Sequence, residues 1–208
     1  MTKPILYGAD YSVYVRIARM ALEEKGVGYE LVPLDIFAAE GIPAWYLEHH
    51  PFGRIPAFEH DGFRLFETNA ITRYIDEAFD GLALQPADAC GRARMTQIIG
   101  MLDAYGYRAM VWDVAVERLE KAEPDESLIA AGLKQAETML KVLTSLKTQG
   151  PWLLGDQLTL ADLHAAPIIA YFVKVAEGRD LLARFADIRD WYGRVAVRPS
   201  FVRTEKVG

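Results

Sequence analysis

The groups in this sequence best placed to do chemistry are hydroxyls and carboxylates at three predicted helix starts. Ser12 follows the apolar run Ile5-Leu6-Tyr7-Gly8 and opens a helical pattern. Glu67-Thr68 follows a second pair of apolar runs, and Thr159-Leu160-Ala161-Asp162 opens a helix late in the chain. A helix start carries unpaired N–H groups and a partial positive charge, so Ser or Thr there serves as N-cap and the same place favours an anion. Thr68 therefore reads first as an N-cap with a carboxylate beside it. Thr159 and Asp162 have the spacing of a capping box, in which the pair satisfies the helix's own donors, and they read as structural. Tyr7, Tyr11 and Tyr14 surround Ser12 with phenols that ionise near ~10 and can donate to an anion. One cysteine, Cys90, leaves no intrachain disulfide, no Cys-x-x-Cys pair and no cysteine-built zinc site, and it reads as a packing residue.

Two periodicities position these groups. Ile5 to Gly8 is strand-like. Ser12 to Lys25 is helical, with Val13, Ile17, Met20 and Ala21 inward and Arg16, Arg19 and Glu23 outward. Gly26 stands where a helix ends, and Tyr29 to Leu34 reads as a second strand, which predicts a parallel βαβ unit with a right-handed crossover. Residues 35–53 form an irregular bridge broken by Gly41, Pro43, Pro51 and Gly53, with a helical turn or two over Ala44 to Glu48. Two short runs around Asp61-Gly62 predict a hairpin, and Thr68 to Phe79 a helix with Ile71, Tyr74, Ile75 and Ala78 inward.

After residue 80 the strand signals stop. Residues 81–87 have the composition of a linker, and 88–208 read as helical throughout. One long helix is expected from Ala87 to about Ala122, another from Asp125 to Lys147, and a third from Thr159. A last one is expected from Gly178 to Arg198-Pro199. The predicted organisation is an α+β domain over 1–80, ordered βαβ-α-ββα, followed by an all-α domain over 88–208.

Composition narrows the function further. Acidic residues number 29 against 23 basic ones, a formal charge of −6, which disfavours a nucleic-acid partner. No apolar run of about eighteen residues exists to span a membrane. The first residues are too soon punctuated by Gly to form a secretory signal, so a cytoplasmic globular protein is expected.

Four stretches, in order, resemble the cytosolic glutathione transferase family. Leu6-Tyr7-Gly8-Ala9-Asp10-Tyr11-Ser12 leading into Ala21-Leu22-Glu23-Glu24-Lys25-Gly26 is similar to its first strand, active-site loop and first helix. His50-Pro51-Phe52-Gly53-Arg54-Ile55-Pro56-Ala57-Phe58 resembles its N-P-x-G-x-(V/I)-P segment, with His50 where Asn is usual. Phe66 to Ile75 resembles L-x-E-S-x-A-I-x-x-Y-L, with Thr68 for Ser, and Leu158 to Leu163 resembles (F/L)-(S/T)-x-A-D. The resemblance covers the chain from end to end. It implies a thioredoxin-like first domain, an all-helical second one, and a homodimer using glutathione as co-substrate, without a permanently bound cofactor or metal.

The resemblance also implies site roles. Ser12 matches the residue that, in serine-type members, donates to the glutathione sulfur and favours its thiolate; Tyr7 matches the position used by tyrosine-type members. Tyr11 would line the pocket. Ile55, before a cis Pro56, would pair its backbone with the cysteinyl unit, and Glu67 and Thr68 would hold the γ-glutamyl end. Relatives place a cation for the glycyl carboxylate near Gly41. Residues 35–48 contain no Lys, Arg or His, so that task falls to Arg54 or to His49-His50. Tyr105, Tyr107 and Trp112 on the long helix would wall the site for a hydrophobic electrophile, and Asp103 would reach a neighbouring subunit. The implied activity is conjugation of glutathione to hydrophobic electrophiles. The alternatives are a glutathione-dependent peroxidase or isomerase, or a non-catalytic binding protein on the same fold.

Overall fold

Alternating apolar residues in the first part of the chain build a four-stranded sheet, seen in a computed structural model that describes residues 2–205. The strands are β1 (Ile5–Gly8), β2 (Glu30–Pro33), β3 (Ala57–His60) and β4 (Phe63–Phe66), ordered β2-β1-β3-β4. β1 and β2 are parallel, as the βαβ pattern requires, and β3 runs antiparallel to both β1 and β4. The Asp61-Gly62 turn takes positive φ at both residues, 50° and 80°, which matches its twist to that of the flanking strands.

α1 (Val13–Glu24) crosses between the parallel strands. Its Val15, Ile17, Ala18, Met20, Ala21 and Leu22 are almost wholly buried, each large side chain contributing roughly 1.5–3 kcal/mol. Gly8 has to be glycine because a Cβ there would collide with Val15. α2 (Thr68–Ala78) buries Ile71 and Ile75 against the same sheet. The α1 C-cap residue, Lys25, is buried and donates to the Asp76 carboxylate at 3.2 Å and to the Asp76 and Leu82 carbonyls at 3.1 Å.

The chain divides into two compact units, one running through Ala83 and resuming at Pro199, the other spanning Leu84–Arg198. The second unit contains α3 (Ala89–Met101), which continues through π-helical stretches at Leu102–Gly106 and Arg108–Val116 into α4 (Glu117–Glu120). It also contains α5 (Glu126–Leu146), α6 (Leu160–Phe172), α7 (Ala176–Ala183) and α8 (Ala186–Ala196). Its core is apolar, with Leu140, Leu160, Ile168, Phe172 and Trp191 fully buried.

Three expectations are corrected. The single last helix is in fact α7 and α8, followed by the short α9 (Pro199–Arg203). Gly178 does not begin it but lies inside α7, where a Cβ would strike the Phe172 carbonyl oxygen. α9 belongs with the first unit: the Arg16 guanidinium lies 4.0 Å from the Phe201 ring and donates to the Phe201 carbonyl at 3.0 Å, and Arg19 reaches the Thr204 carbonyl at 3.3 Å. Cys90 is exposed rather than packed, because the buried stripe of α3 begins a turn later at Met95.

Candidate functional site

The register places the predicted site residues at one end of the sheet. Tyr7 pairs with Ala57, and Ala57 with Phe66. Just beyond that row, three segments leave the sheet together: β1 into the loop carrying Ser12, Ile55-Pro56 into β3, and β4 into Glu67-Thr68. Gly8 lets two of them close up, since its absent Cβ would lie 3.4 Å from that of Ile55.

Ser12 is the N-cap of α1, and its side chain accepts the Val15 N–H at 3.3 Å. It is half-buried. Because the hydroxyl oxygen serves as acceptor, its proton stays free to donate. No acidic residue stands in the first turn of α1 to cancel the helix's positive end. Tyr7 stands in β1, one residue before Gly8. Its ring packs 4.6 Å from that of His49 and 6.0 Å from that of Trp45. Burial raises its phenol pKa, as do Glu59 and Glu30, while Arg64 acts the other way. Glu59 and Glu30 are in register with Ile5, two residues back along β1 from the Tyr7 row.

Tyr11 donates its hydroxyl to Asp35 Oδ1 at 2.6 Å. Burial and then this hydrogen bond raise the phenol's pKa well above its ordinary value. The peptide bond Ile55-Pro56 is cis, and Ile55 lies outside the paired register of β3. Sequence reasoning passed over Tyr46, in the 3₁₀ turn Ala44–Glu48; it is fully buried and donates to the Arg54 carbonyl at 2.6 Å, fixing the backbone that enters Ile55. An apolar position in a short helical turn gave no signal of that partner eight residues away.

The bridge offers three groups to a carboxylate. His49 is occupied: its Nε2 lies 3.4 Å from Glu59 and its Nδ1 3.3 Å from the Trp45 carbonyl. His50 is buried, its ring 4.9 Å from that of Phe66, and burial lowers its pKa against the opposing influence of Glu67. A histidine so held is neutral near pH 7. Arg54 is exposed, and among the described residues its guanidinium pairs with no carboxylate.

Thr68 is corrected from N-cap to first helical residue, since Glu67 holds the cap position. Glu67 does so with φ 71°, a conformation costly for a side chain with a Cβ. Among the described residues no side chain caps α2, and the Glu67 carboxylate is exposed while Thr68 is buried.

The candidates in the second unit are spread around their helix. Tyr105 and Asp103 are exposed, and Tyr107 and Trp112 half-buried. Tyr105 lines an open cavity of about 260 Å³ with Arg108, Asp113 and Gln135, whereas Tyr107 contributes to the raised pKa of the Tyr171 phenol on α6. The Thr159–Asp162 capping box is formed, with both reciprocal bonds present. Among the described residues no group of three or more His, Cys, Asp or Glu is arranged to hold a metal ion, and no helix is long and apolar enough to cross a membrane.

Residues 3–77 match the glutathione S-transferase N-terminal domain, and residues 126–194 the glutathione S-transferase C-terminal domain. The chain is 29% identical over 204 residues to glutathione S-transferase F13 of Arabidopsis thaliana, covering 95% of this chain and 93% of that one. It superposes on the crystal structure of poplar glutathione transferase F1 with a TM-score of 0.86 at 26% identity, covering 98% and 97% of the two chains. On glutathione S-transferase III in its apo form the TM-score is 0.84 at 30% identity, covering 98% and 95%.

Proposed function

This chain belongs to the glutathione S-transferase family, and from that premise we propose that its first unit binds glutathione and that Ser12 holds the tripeptide's sulfur as thiolate for transfer to a hydrophobic electrophile. The observation that carries the reading is the gathering of Ser12, Ile55 and Thr68 beyond the Tyr7–Ala57–Phe66 row. The γ-glutamyl carboxylate meets the uncapped N–H groups of α2 and the Thr68 hydroxyl, and Glu67 accepts from its ammonium. The Ile55 backbone pairs with the cysteinyl unit as a short strand. Arg54, exposed and adjacent to Ile55, takes the glycyl carboxylate.

At Ser12 the sulfur meets a hydroxyl donor and the positive end of α1. A free thiol titrates near ~8.5, and each unit by which the site lowers that value needs about 1.4 kcal/mol of preference for thiolate. The thiol proton leaves to solvent, and the thiolate attacks the electrophilic carbon, forming the S–C bond as the leaving group departs. Tyr7 packs beneath the bridge and takes no part.

Calorimetric titration with glutathione tests the placement. Glu67→Ala is expected to weaken binding about tenfold, near 1.4 kcal/mol, with the fold retained; unchanged affinity removes Glu67 from the site. A two-fold dimer is also proposed, in which Arg73, Trp45, Leu47 and Phe52 of one copy and the long helix with Asp103 of the other take part. Trp45, Leu47 and Phe52 are large apolar side chains left exposed, Phe52 by 73%. A sedimentation mass near 23.3 kDa argues against it.

A further inference from the structure

The fork between β1 and β2 is closed by a single carboxylate, and this carries an inference about Ser12. The last hydrogen bond there runs from the Leu34 N–H to the Gly8 carbonyl at 3.3 Å. Past it the two chains part. One turns through Ala9-Asp10-Tyr11 into Ser12, whose N–H donates to the Ala9 carbonyl at 3.2 Å. The other enters the bridge at Asp35.

Asp35 Oδ1 then accepts twice, from the Tyr11 hydroxyl at 2.6 Å and from the Phe37 N–H at 2.9 Å. The same oxygen thus ties the residue before Ser12 to the first turn of the bridge, and it brings the Tyr11 and Phe37 rings to 6.2 Å. Both bonds favour the ionised carboxylate, whose pKa is lowered accordingly. Asp10 is the other charged group facing the phenol, and it too opposes ionisation. A phenol already donating to a carboxylate has no proton left to offer a thiol.

We propose that Asp35 is a positioning residue for the transfer reaction: by holding the Tyr11 hydroxyl and the Phe37 amide on one oxygen, it fixes the loop that presents Ser12. This rests on the reading of Ser12 given above. Asp35 touches neither sulfur nor electrophile, so its effect passes through the loop.

The test compares the full-length protein with Asp35→Ala, Asp35→Asn and Tyr11→Phe, using glutathione and a reactive aryl halide. In Asp35→Ala the kcat is expected to fall about fivefold to tenfold, with the KM for glutathione held within about twofold and the rising limb of the kcat–pH profile moved upward. Asn keeps an acceptor oxygen at the same place, so Asp35→Asn should restore most of the rate and the wild-type limb. A loss of fold alone would lower the active fraction without moving the limb. The Tyr11→Phe/Asp35→Ala double variant should be no slower than the slower single variant, since both remove the bond from Tyr11 to Asp35. An unchanged kcat and limb in Asp35→Ala, or effects that simply multiply in the double variant, overturns the proposal. Glutathione calorimetry on the wild type separates the two failures. Binding together with an unmoved Asp35→Ala profile overturns Asp35 alone, whereas no binding overturns the Ser12 reading and this proposal with it.

Discussion

The starts of α2 and α6 both set a Thr beside an acidic residue, but Asp162 folds back onto its helix while Glu67 stands off from it. Asp162 is fully buried. Its Oδ2 accepts from the Thr159 N–H at 2.8 Å and the Thr159 hydroxyl at 2.9 Å; its Oδ1 accepts from the Leu153 N–H at 2.8 Å and Trp191 Nε1 at 2.7 Å. Burial pushes the carboxyl's pKa up, and the four donors pull it back. At α2 the acidic residue sits in the cap position with positive φ, its carboxylate exposed, and among the described residues no side chain caps the helix. A helix start that supplies its own carboxylate is sealed and serves stability. One that holds its carboxylate aside is left able to receive another's.

The largest expected effect breaks the sealed side. Asp162→Ala strips a buried charge from four donors and leaves them unpaired. It should cost about 3–5 kcal/mol of unfolding free energy, read by denaturant titration. Thr68→Ala at the open start should cost less than about 1 kcal/mol in the same measurement. If the two variants melt alike, the distinction between sealed and open starts is lost.

Acid should separate the two ends next. His164, one half-turn past Asp162 on α6, is fully buried, and burial lowers its pKa to about 3. Its folded value thus lies below the unfolded value of ~6.5, so in that window the unfolded chain binds the proton and the folded chain does not. The stability held above pH ~6.5 should therefore drain by about 1.4 kcal/mol per pH unit as pH falls toward the folded value. Urea midpoints from pH 7 to pH 5 read this directly. A flat profile across that range would contradict the assignment to His164.

A smaller effect is expected on the rate, at the start of α1. Ser12→Ala should lower the neutral-pH rate about tenfold, near 1.4 kcal/mol, and move the rate–pH limb upward toward the free thiol's value. Glutathione affinity should change little. Tyr7→Phe is the contrast and should be nearly neutral, because that ring packs on His49 and Trp45. Loss of activity in Tyr7→Phe with an unmoved profile in Ser12→Ala would exchange the two roles.

Much of this was legible in the chain. The Ser12 cap, the Asp61-Gly62 hairpin and the Thr159–Asp162 box all rest on partners within a few positions, where spacing alone fixes the geometry. The exceptions have distant partners. Residues 199–203 read only as the tail of the helical domain until Arg16 is seen donating to Phe201, 185 residues on. The π-helical course from Leu102 carries the same apolar residues an α-helix would. Gly178 reads as a breaker, although what requires it is the Phe172 carbonyl pressed against its Cα.

The sequence by itself determined which groups stand at each helix start, because a cap and its first turn are contiguous and their chemistry is local. The tertiary structure decided which start is closed and which is open. Asp162 is sealed by Trp191, 29 residues away, and the Ser12 loop is tied down by Asp35, 24 residues from Tyr11. It also decided that Tyr7 turns toward the bridge, that His49 is taken up by Glu59 and the Trp45 carbonyl and His50 by packing, and that Arg54 is exposed. Those outcomes depend on which surfaces the sheet brings within hydrogen-bond reach, and periodicity along a chain does not encode distances across it.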